Sequence, residues 1–462
     1  MGNAESVVVQ KRMTRFRPDE RPVVEGLFDK LVSGSAAGAP AKGKALTLDI
    51  LKAHMGSVAS DSMIKRMYGA MSSVDAGVPP VAGGGVSREQ LVIFLADTLR
   101  GTAEERAPIV MAMAVPPGGK KGEAVATVDQ IKQFLGDLIS AALQILATRG
   151  CLRGWKPERM ADQDTGVRLL AEQLSSEMKA SDQQTCDTPC VEDWLFRVSS
   201  VAVYLELLIS EGLSLAFPSR PPTALLPQCR EAPWAQLRSS LLDLPLLLFL
   251  SPLLPEGHGA PWRLLFSTQL HGESFTRMVS GCKGRGPTVL LLRDTKGHVF
   301  GGFASHGWEI RPQFQGDSRC FLFSVAPHMR VYTCTGYNQH YMYLNQGTQT
   351  MPNGLGMGGQ HGYFGLWLDS DFGAGHSRAR PKCTTYGSPQ LSADEEFKID
   401  AMEVWAVTEP PKPDEDDDED DDGDVKKKKS ILNADPEVQA MMEMTGKTLH
   451  SQGLREPEED ED

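Results

Sequence analysis

Residues 262–407 constrain the fold most, because short apolar and aromatic runs alternate there with glycine-containing turns. The runs at 288–293 and 298–304 both have strand composition, and the connection between them ends at Gly297, as hairpin connections often do. Six further runs share this character: 262–267, 321–325, 330–335, 341–344, 364–368 and 402–407. Many short strands bounded by glycine turns predict a two-sheet antiparallel core with a few helices.

The chain is too long for one ordinary core, since 462 residues predict two or three domains. We therefore expect an α+β multidomain protein in which a helical region precedes the β domain. The expected segments are a basic arm at 1–20, a helical domain at 21–150, a helical middle section at 151–255, the β domain at 256–408, a disordered charged linker at 409–430, a helix at 431–450 and an acidic tail at 451–462.

The net charge of -13 arises in the tail, because residues 414–462 include nineteen acidic and six basic residues. The rest of the chain is neutral overall, so its composition gives no reason to expect a nucleic-acid partner. Eight cysteines at no regular spacing favour a reduced protein over a disulfide framework. No run free of charges and prolines reaches the roughly 20 apolar residues that a membrane span requires.

A repeat with a period of 40 residues lies within the helical domain. Leu46, Val86 and Ala126 each precede a Ser or Thr that can cap a helix, with an acidic residue in the first turn. The pairs Ser87 with Gln90 and Thr127 with Gln130 have the spacing of capping boxes. A helix that leaves a short extended segment at regular intervals resembles the second helix of EF-hand units.

The repeat lacks the residues that bind calcium, because an EF-hand loop needs oxygen ligands at positions 1, 3, 5 and 12. If the apolar residue is position 8, the three copies place there Ala39, Ala41, Gly43 and Ile50; Pro79, Val81, Gly83 and Gln90; and Gly119, Lys121, Glu123 and Gln130. We expect paired EF-hand-like scaffolding without metal; a plain helical bundle is the alternative. No other segment suggests a metal or a cofactor.

The N-terminal arm has the features of a membrane anchor. Residues 1–6 fit the motif for N-terminal myristoylation, with Gly2 as the acceptor. Four basic residues follow, namely Lys11, Arg12, Arg15 and Arg17. One acyl chain binds a bilayer only weakly, and a basic patch supplies a second attraction to anionic lipid. A start of the chain whose glycine matches by chance is the alternative.

The predicted C-terminal helix has an apolar stripe formed by Val438, Met441, Met442 and Leu449. Asp435 and Pro436 are suited to its first turn. A short methionine-rich helix on a charged linker favours docking in a partner's groove, and docking on its own chain or disorder is the alternative.

Several motifs in the β domain suggest catalysis, but each has a structural interpretation. Residues 354–359 fit G-x-G-x-x-G but lack the strand before and the helix after, so we expect a glycine-rich turn that lets strands approach. We expect Trp405 in the core and Glu403 bound to buried donors. Buried, hydrogen-bonded histidines and inert cysteines are favoured over a Cys–His pair among His306, His340, His361, His376, Cys320, Cys334 and Cys383.

The β domain resembles the TLDc family. The matching segments are 262–267, 271–275, 301–304 with Trp308, 321–324, 354–359, 364–368, 375–377, 388–392 and 402–405. The resemblance implies binding of the vacuolar proton-pumping ATPase and protection against oxidative stress. The wider layout resembles a branch of the family that is associated with lysosomal membranes and with mTOR signalling in growth, proliferation and migration.

Two functions follow as expectations. The first is a non-catalytic adaptor on the cytoplasmic face of the lysosome, also present in the cytoplasm. It would bind the vacuolar proton-pumping ATPase, mTOR signalling components and anionic membrane. The alternative is a protein that protects against oxidative stress through a redox-active cysteine, which would be Cys320, Cys334 or Cys383.

Overall fold

The computed structural model of the chain describes residues 7–33, 45–77, 84–115, 125–181, 184–218 and 224–409. The chain divides into two compact units. The helical unit comprises Met1–Gln228 and Leu242–Leu254. The β unit comprises Cys229–Leu241 and Pro255–Asp462, so the chain enters it, leaves it and enters it again.

The helical unit contains eleven helices and one small pair of strands within the described ranges. In chain order these elements are α1 (Val7–Met13), α2 (Arg21–Ser33), α3 (Leu48–Met55), α4 (Asp61–Ser73), α5 (Arg88–Arg100), α6 (Ala103–Ala114), β1 (Ala126–Thr127), α7 (Val128–Thr148), α8 (Gln163–Ser176), β2 (Thr185–Cys186), α9 (Thr188–Arg197), α10 (Ser200–Gly212) and α11 (Leu244–Leu250). No described helix in the chain is long and apolar enough to cross a bilayer.

Each copy of the predicted repeat begins a helix where the sequence places it. Thr47, Ser87 and Thr127 cap α3, α5 and α7, and each side-chain oxygen accepts a backbone N–H three residues later. Both predicted capping boxes are present, with Gln90 and Gln130 as the returning side chains. Capping satisfies backbone donors that have no partner within the helix, which fixes where these helices start.

The copies pair through their short extended segments. Leu46 and Val86 form an antiparallel bridge, which joins the first copy to the second. β1 of the third copy pairs with β2, where Ala126 lies opposite Cys186. β2 therefore marks a fourth helix–loop–helix copy, which α8 and α9 form. This copy was not predicted from the sequence. Its apolar residue follows the third copy's by 60 positions instead of 40, which hides it from a search at fixed period.

The β unit contains eleven strands and two helices within the described part of the chain. They are β3 (Arg263–Ser267), α12 (Thr268–His271), α13 (Phe275–Cys282), β4 (Thr288–Asp294), β5 (Val299–Ala304), β6 (Arg311–Gln315), β7 (Phe321–Ala326), β8 (Arg330–Thr333), β9 (Met342–Asn345), β10 (Gly354–Gln360), β11 (Tyr363–Asp369), β12 (Ala374–His376) and β13 (Glu396–Ala406).

All eleven strands belong to one antiparallel sheet that curls on itself. The order is β6-β9-β10-β11-β12-β13-β4-β5-β7-β8, and β3 also pairs with β13. The long strand β13 joins the two halves, because residues 396–398 pair with β12 whereas residues 399–406 pair mainly with β4. The predicted antiparallel core is confirmed, because two layers of strands pack against each other. The two layers are halves of one sheet and not two separate sheets.

The core of the β unit fills the space between these halves. Leu290, Phe300 and Leu322 of one half share a buried cluster with Leu355 and Leu366 of the other. Close contact depends on small residues: a Cβ built at Gly302 of β5 would lie 2.5 Å from Met357 Sδ of β10. The predicted place of Trp405 in the core is confirmed, since its side chain is fully buried.

The G-x-G-x-x-G segment is not a turn, and that prediction is wrong. Gly354–Gln360 is strand β10, paired on one side with β9 and on the other with β11. Its glycines do permit close approach, as predicted. A Cβ at Gly356 would lie 2.6 Å from the Phe364 ring. Gly359 has a φ of +82°, and a Cβ there would lie 2.0 Å from the Tyr363 carbonyl oxygen.

Candidate functional sites

The three cysteines of the β unit that could support redox chemistry are protonated at neutral pH. Cys320 and Cys383 are buried, and Cys334 is partly buried. Burial raises the pKa of Cys320 and of Cys383 above the ordinary range of a thiol. Burial raises the pKa of Cys334 to about 11, and its thiol donates to the Cys320 carbonyl oxygen at 3.3 Å. Since the thiolate is the reactive form, this environment disfavours nucleophilic or redox chemistry.

These pKa shifts predict slow alkylation. A pKa about two units above normal lowers the thiolate fraction roughly a hundredfold at neutral pH. In the native full chain, Cys320, Cys334 and Cys383 are expected to react with iodoacetamide at least about tenfold more slowly than the partly exposed Cys151. Timed labelling followed by mass spectrometry of each peptide measures the rates. A cysteine of this group that reacts as fast as Cys151 would restore the redox alternative.

Ser305, His306 and Asp317 lie together beside Cys320, but their geometry is not that of a catalytic triad. Ser305 Oγ lies 2.9 Å from His306 Nδ1, and Asp317 Oδ2 lies 4.0 Å from the same nitrogen. A triad places its nucleophile and its carboxylate on opposite ring nitrogens. Ser305 is also buried and lies 3.1 Å from Cys320 Sγ. The group therefore stabilises the turn before β7.

The four candidate histidines of the β unit have separate environments. His306 Nδ1 pairs with Ser305, and His340 Nδ1 lies 2.6 Å from the Gly359 carbonyl oxygen. The prediction of buried, hydrogen-bonded rings is wrong in part. The side chain of His306 is 51% exposed, and His361 Nδ1 and His376 Nε2 are buried atoms that have no hydrogen-bond partner among the described residues. Burial lowers the pKa of both of these histidines to about 4, so they are neutral near pH 7.

Glu403 of β13 is a buried carboxylate with a structural role, as predicted. It is only 1% exposed. Its oxygens accept from Ser240 Oγ at 2.7 Å, from Leu241 N at 3.1 Å and from Trp405 Nε1 at 3.0 Å. Burial raises its pKa more than these donors lower it. The side chain thus attaches the segment Cys229–Leu241 to the sheet, a contact that no local pattern in the sequence indicates.

The basic residues of the N-terminal arm fall into two groups. Lys11 and Arg17 are exposed, whereas Arg12 and Arg15 are partly buried. Arg12 Nε lies 2.6 Å from Asp97 Oδ1, an ion pair without hydrogen-bond geometry. Arg15 donates to Asp97 at 3.0 Å and makes two hydrogen bonds to Glu105. These acidic partners lie on α5 and α6, and no pattern near the arm predicts them.

The remaining predicted site residues lie outside the described residues. These are the acylation site Gly2 and the helix residues Val438, Met441, Met442 and Leu449. Both stay predictions.

The loop of the fourth repeat copy is closed by direct contacts between positions that would bind a metal in an EF-hand. If Cys186 is position 8, Ser181 and Thr185 are positions 3 and 7, and their hydroxyl oxygens lie 2.7 Å apart. Cys190 at position 12 donates its thiol to the Lys179 carbonyl oxygen of position 1 at 3.4 Å. Within the described ranges no group of three or more His, Cys, Asp or Glu side chains could hold a metal ion.

Comparison with known proteins gives matches to the whole chain and to its β unit. The family model described as the TLDc domain matches residues 236–408. MTOR-associated protein MEAK7 of Danio rerio is 67% identical over 463 residues, which cover 100% of both chains. The protein of that name from Homo sapiens is 42% identical over 472 residues, again covering 100% of both. Oxidation resistance protein 1 of Bos taurus is 34% identical over 153 residues, which cover 33% of this chain and 16% of that protein. The predicted resemblance to the TLDc family is confirmed.

Proposed function

The chain belongs to the family of mTOR-associated protein MEAK7, and from that premise we propose that it is a non-catalytic adaptor anchored to the lysosomal membrane. It binds the vacuolar proton-pumping ATPase and links that pump to mTOR signalling in growth, proliferation and migration. The family membership supports the mTOR part of the proposal, because relatives named for mTOR association match along their full length.

One observation carries the non-catalytic part of the proposal: the reactive side chains of the β unit are engaged in its architecture. Glu403 accepts three hydrogen bonds in the core. Ser305 and Asp317 both lie beside the same ring nitrogen of His306, so these residues do not form a catalytic triad. The pKa values of Cys320, Cys334 and Cys383 are raised by burial. A domain whose polar groups are used internally acts through its surface, and binding is what such a surface provides.

The anchoring part of the proposal rests on the acylation motif at Gly2 and the basic arm after it. An acyl chain with a basic patch gives the two attractions that durable membrane binding requires. The resemblance of the β unit to TLDc domains supports the pump as partner, and the lysosome as location follows from that partner. The same pool of protein occupies the cytoplasm when it is not anchored.

The redox alternative is not favoured, although the β unit is related to oxidation resistance protein 1. Of the three candidate cysteines only Cys334 is even partly exposed, and its pKa is about 11. A redox-active cysteine requires an accessible thiolate.

Purification of the tagged full chain under gentle lysis tests the proposal. The expected result is recovery of pump subunits together with mTOR components, by the wild-type chain and equally by a Cys320→Ala, Cys334→Ala, Cys383→Ala variant. The thermal melt of the variant verifies that it folds. If the wild type protects cells against oxidative stress and the variant does not, the result supports a redox-active cysteine and contradicts the non-catalytic adaptor.

Two further variants assign the parts of the chain. Gly2→Ala is expected to release the protein from lysosomal membranes, because its acyl chain supplies most of the anchoring. Removal of residues 430–462 tests the C-terminal helix. If pump recovery is unchanged by that deletion, the helix is no contact and the β unit binds alone.

A further inference from the structure

Helix α1 has one face attached to the helical unit and one face open to solvent. Val9 is buried, and Arg12 is partly buried beside Asp97. Val7 and Val8 are 80% and 43% exposed, and Lys11 is exposed as well. Residues 7, 8 and 11 lie on one side of a helix, because residues four apart are neighbours and residue 8 falls within the same arc. The open face of α1 thus combines two apolar side chains with a cation.

The attached face is held by several independent contacts. Arg12 and Arg15 pair with Asp97 of α5 and Glu105 of α6. Phe16, which follows the helix, is 1% exposed, and its ring stacks on Phe217 with centroids 6.4 Å apart. Together with the buried Val9, these contacts extend from residue 9 to residue 16, so α1 is a fixed part of the helical unit.

The energies favour a helix that stays attached at a membrane. Releasing α1 exposes Val9, which costs about 2 kcal/mol. Release also leaves the buried Asp97 without its arginines, and breaking a buried ion pair costs roughly 3 kcal/mol or more. In return Arg12 and Arg15 would gain about 1 kcal/mol each at an anionic surface. The loss exceeds the gain, so these two arginines remain with their carboxylates.

The acylation motif places a membrane close to the open face. Val7 lies five positions after Gly2, and five extended residue steps span at most about 17 Å. An acyl chain inserted in a bilayer therefore holds the start of α1 near the headgroups. The cavity beside α1, which Val8 borders at the edge of the open face, does not suit the acyl chain, since its volume of about 270 Å³ is also lined by Asp75, Asp97 and Glu105.

We propose that α1 docks on anionic lipid as a fixed part of the helical unit, through an outward face formed by Val7, Val8 and Lys11. Arg12 and Arg15 are positioning residues that orient this face and do not contact lipid. Arg17, which follows the helix, is a further exposed cation of the arm. This proposal rests on the anchoring part of the proposed function, and it adds an orientation: the helical unit meets the bilayer by a defined surface and is not held on a loose arm.

Binding of the acylated full chain to vesicles tests the orientation. The chain is made with N-myristoyltransferase, and its partition is measured on phosphatidylcholine vesicles with and without phosphatidylserine. Lys11→Gln is expected to lower the partition onto phosphatidylserine vesicles about fivefold, the effect of losing roughly 1 kcal/mol. Lys132→Gln on α7 has the same net charge and alters a side chain that is 42% exposed, and it is expected to change the partition less than twofold.

The ion-paired residues supply the decisive comparison. Arg12→Gln combined with Asp97→Asn leaves the net charge unchanged, and partition is expected to stay within about twofold of the wild type. Arg15→Gln with Glu105→Gln repeats the test, and hydrogen exchange of the α1 amides verifies that either variant keeps α1 folded. A fivefold loss in both pairs would show that all four cations reach lipid on a detached arm, and would overturn the fixed orientation alone. Absence of vesicle binding by the acylated wild type overturns the anchor and the orientation together.

Discussion

Replacing Glu403 with alanine is expected to lower the free energy of unfolding of the β unit by about 3 kcal/mol or more. The substitution removes the acceptor of three buried hydrogen bonds, which Ser240 Oγ, Leu241 N and Trp405 Nε1 donate to Glu403. Each hydrogen bond to a charged buried group contributes roughly 1–3 kcal/mol, and some of this loss is recovered if the segment Cys229–Leu241 loosens. Urea unfolding of the full chain, followed by hydrogen exchange of the β13 amides, measures the change.

Glu396→Ala is the matched control for this prediction. Glu396 lies on the same strand, but its side chain is 65% exposed and pairs with Arg378. A surface ion pair contributes little, so the expected change is below about 0.5 kcal/mol. Equal effects of the two substitutions would mean that Glu403 is not the attachment point of the segment.

The same side chain gives a pH dependence of known sign. Burial raises the pKa of Glu403 above the value of 4.5 for an ordinary glutamate. The unfolded chain therefore releases this proton first as the pH rises, and the folded state loses stability from about pH 4.5 up to the folded-state pKa. Glu403→Gln removes this loss. The stability of wild type relative to Gln should fall over that range, and a rise would contradict the assignment.

Gly359→Ala is expected to destabilise the β unit by about 3 kcal/mol. The φ of +82° strains an L residue, and the added Cβ would lie 2.0 Å from the Tyr363 carbonyl oxygen, which is backbone and cannot rotate away. The β10–β11 pair must separate locally to accept it. Equilibrium unfolding compared with wild type measures the effect.

Gly362 separates the two causes, because it lies in the connection between the same strands with a φ of +76° and no heavy atom within 4 Å of a built Cβ. Gly362→Ala therefore pays only the backbone strain, roughly 1 kcal/mol. The difference between the two variants is the cost of the close approach. If both cost the same, Gly359 is required for its φ alone.

The local features of this chain were predictable because they depend on neighbours in sequence. Ser87 with Gln90 and Thr127 with Gln130 make capping boxes through contacts three residues apart, which a linear pattern reveals. The short strands of the β unit follow from residue composition and glycine turns in the same way. The order of those strands in the sheet was not predicted, because composition and turns leave it open.

The features that were missed depend on partners distant in sequence. Ser240 and Glu403 are 163 residues apart, so nothing near Ser240 indicates that it belongs with the β unit. Arg15 meets Asp97 across 82 residues, and without that partner the arm looks uniformly basic. A turn is predicted where β10 lies, since glycine disfavours strands in general. Here the packed rings of Phe364 and Trp367 require it, as a Cβ at Gly356 would meet both.

We propose that the chain acts by binding the proton pump at a membrane. Chemical cross-linking on intact lysosomal membranes, followed by purification of the tagged chain and mass spectrometry, is the decisive experiment. We expect cross-links from lysines of the β unit, such as Lys283 and Lys296, to subunits of the vacuolar proton-pumping ATPase. Membrane-bound chain that yields cross-links to other proteins and none to a pump subunit would contradict it.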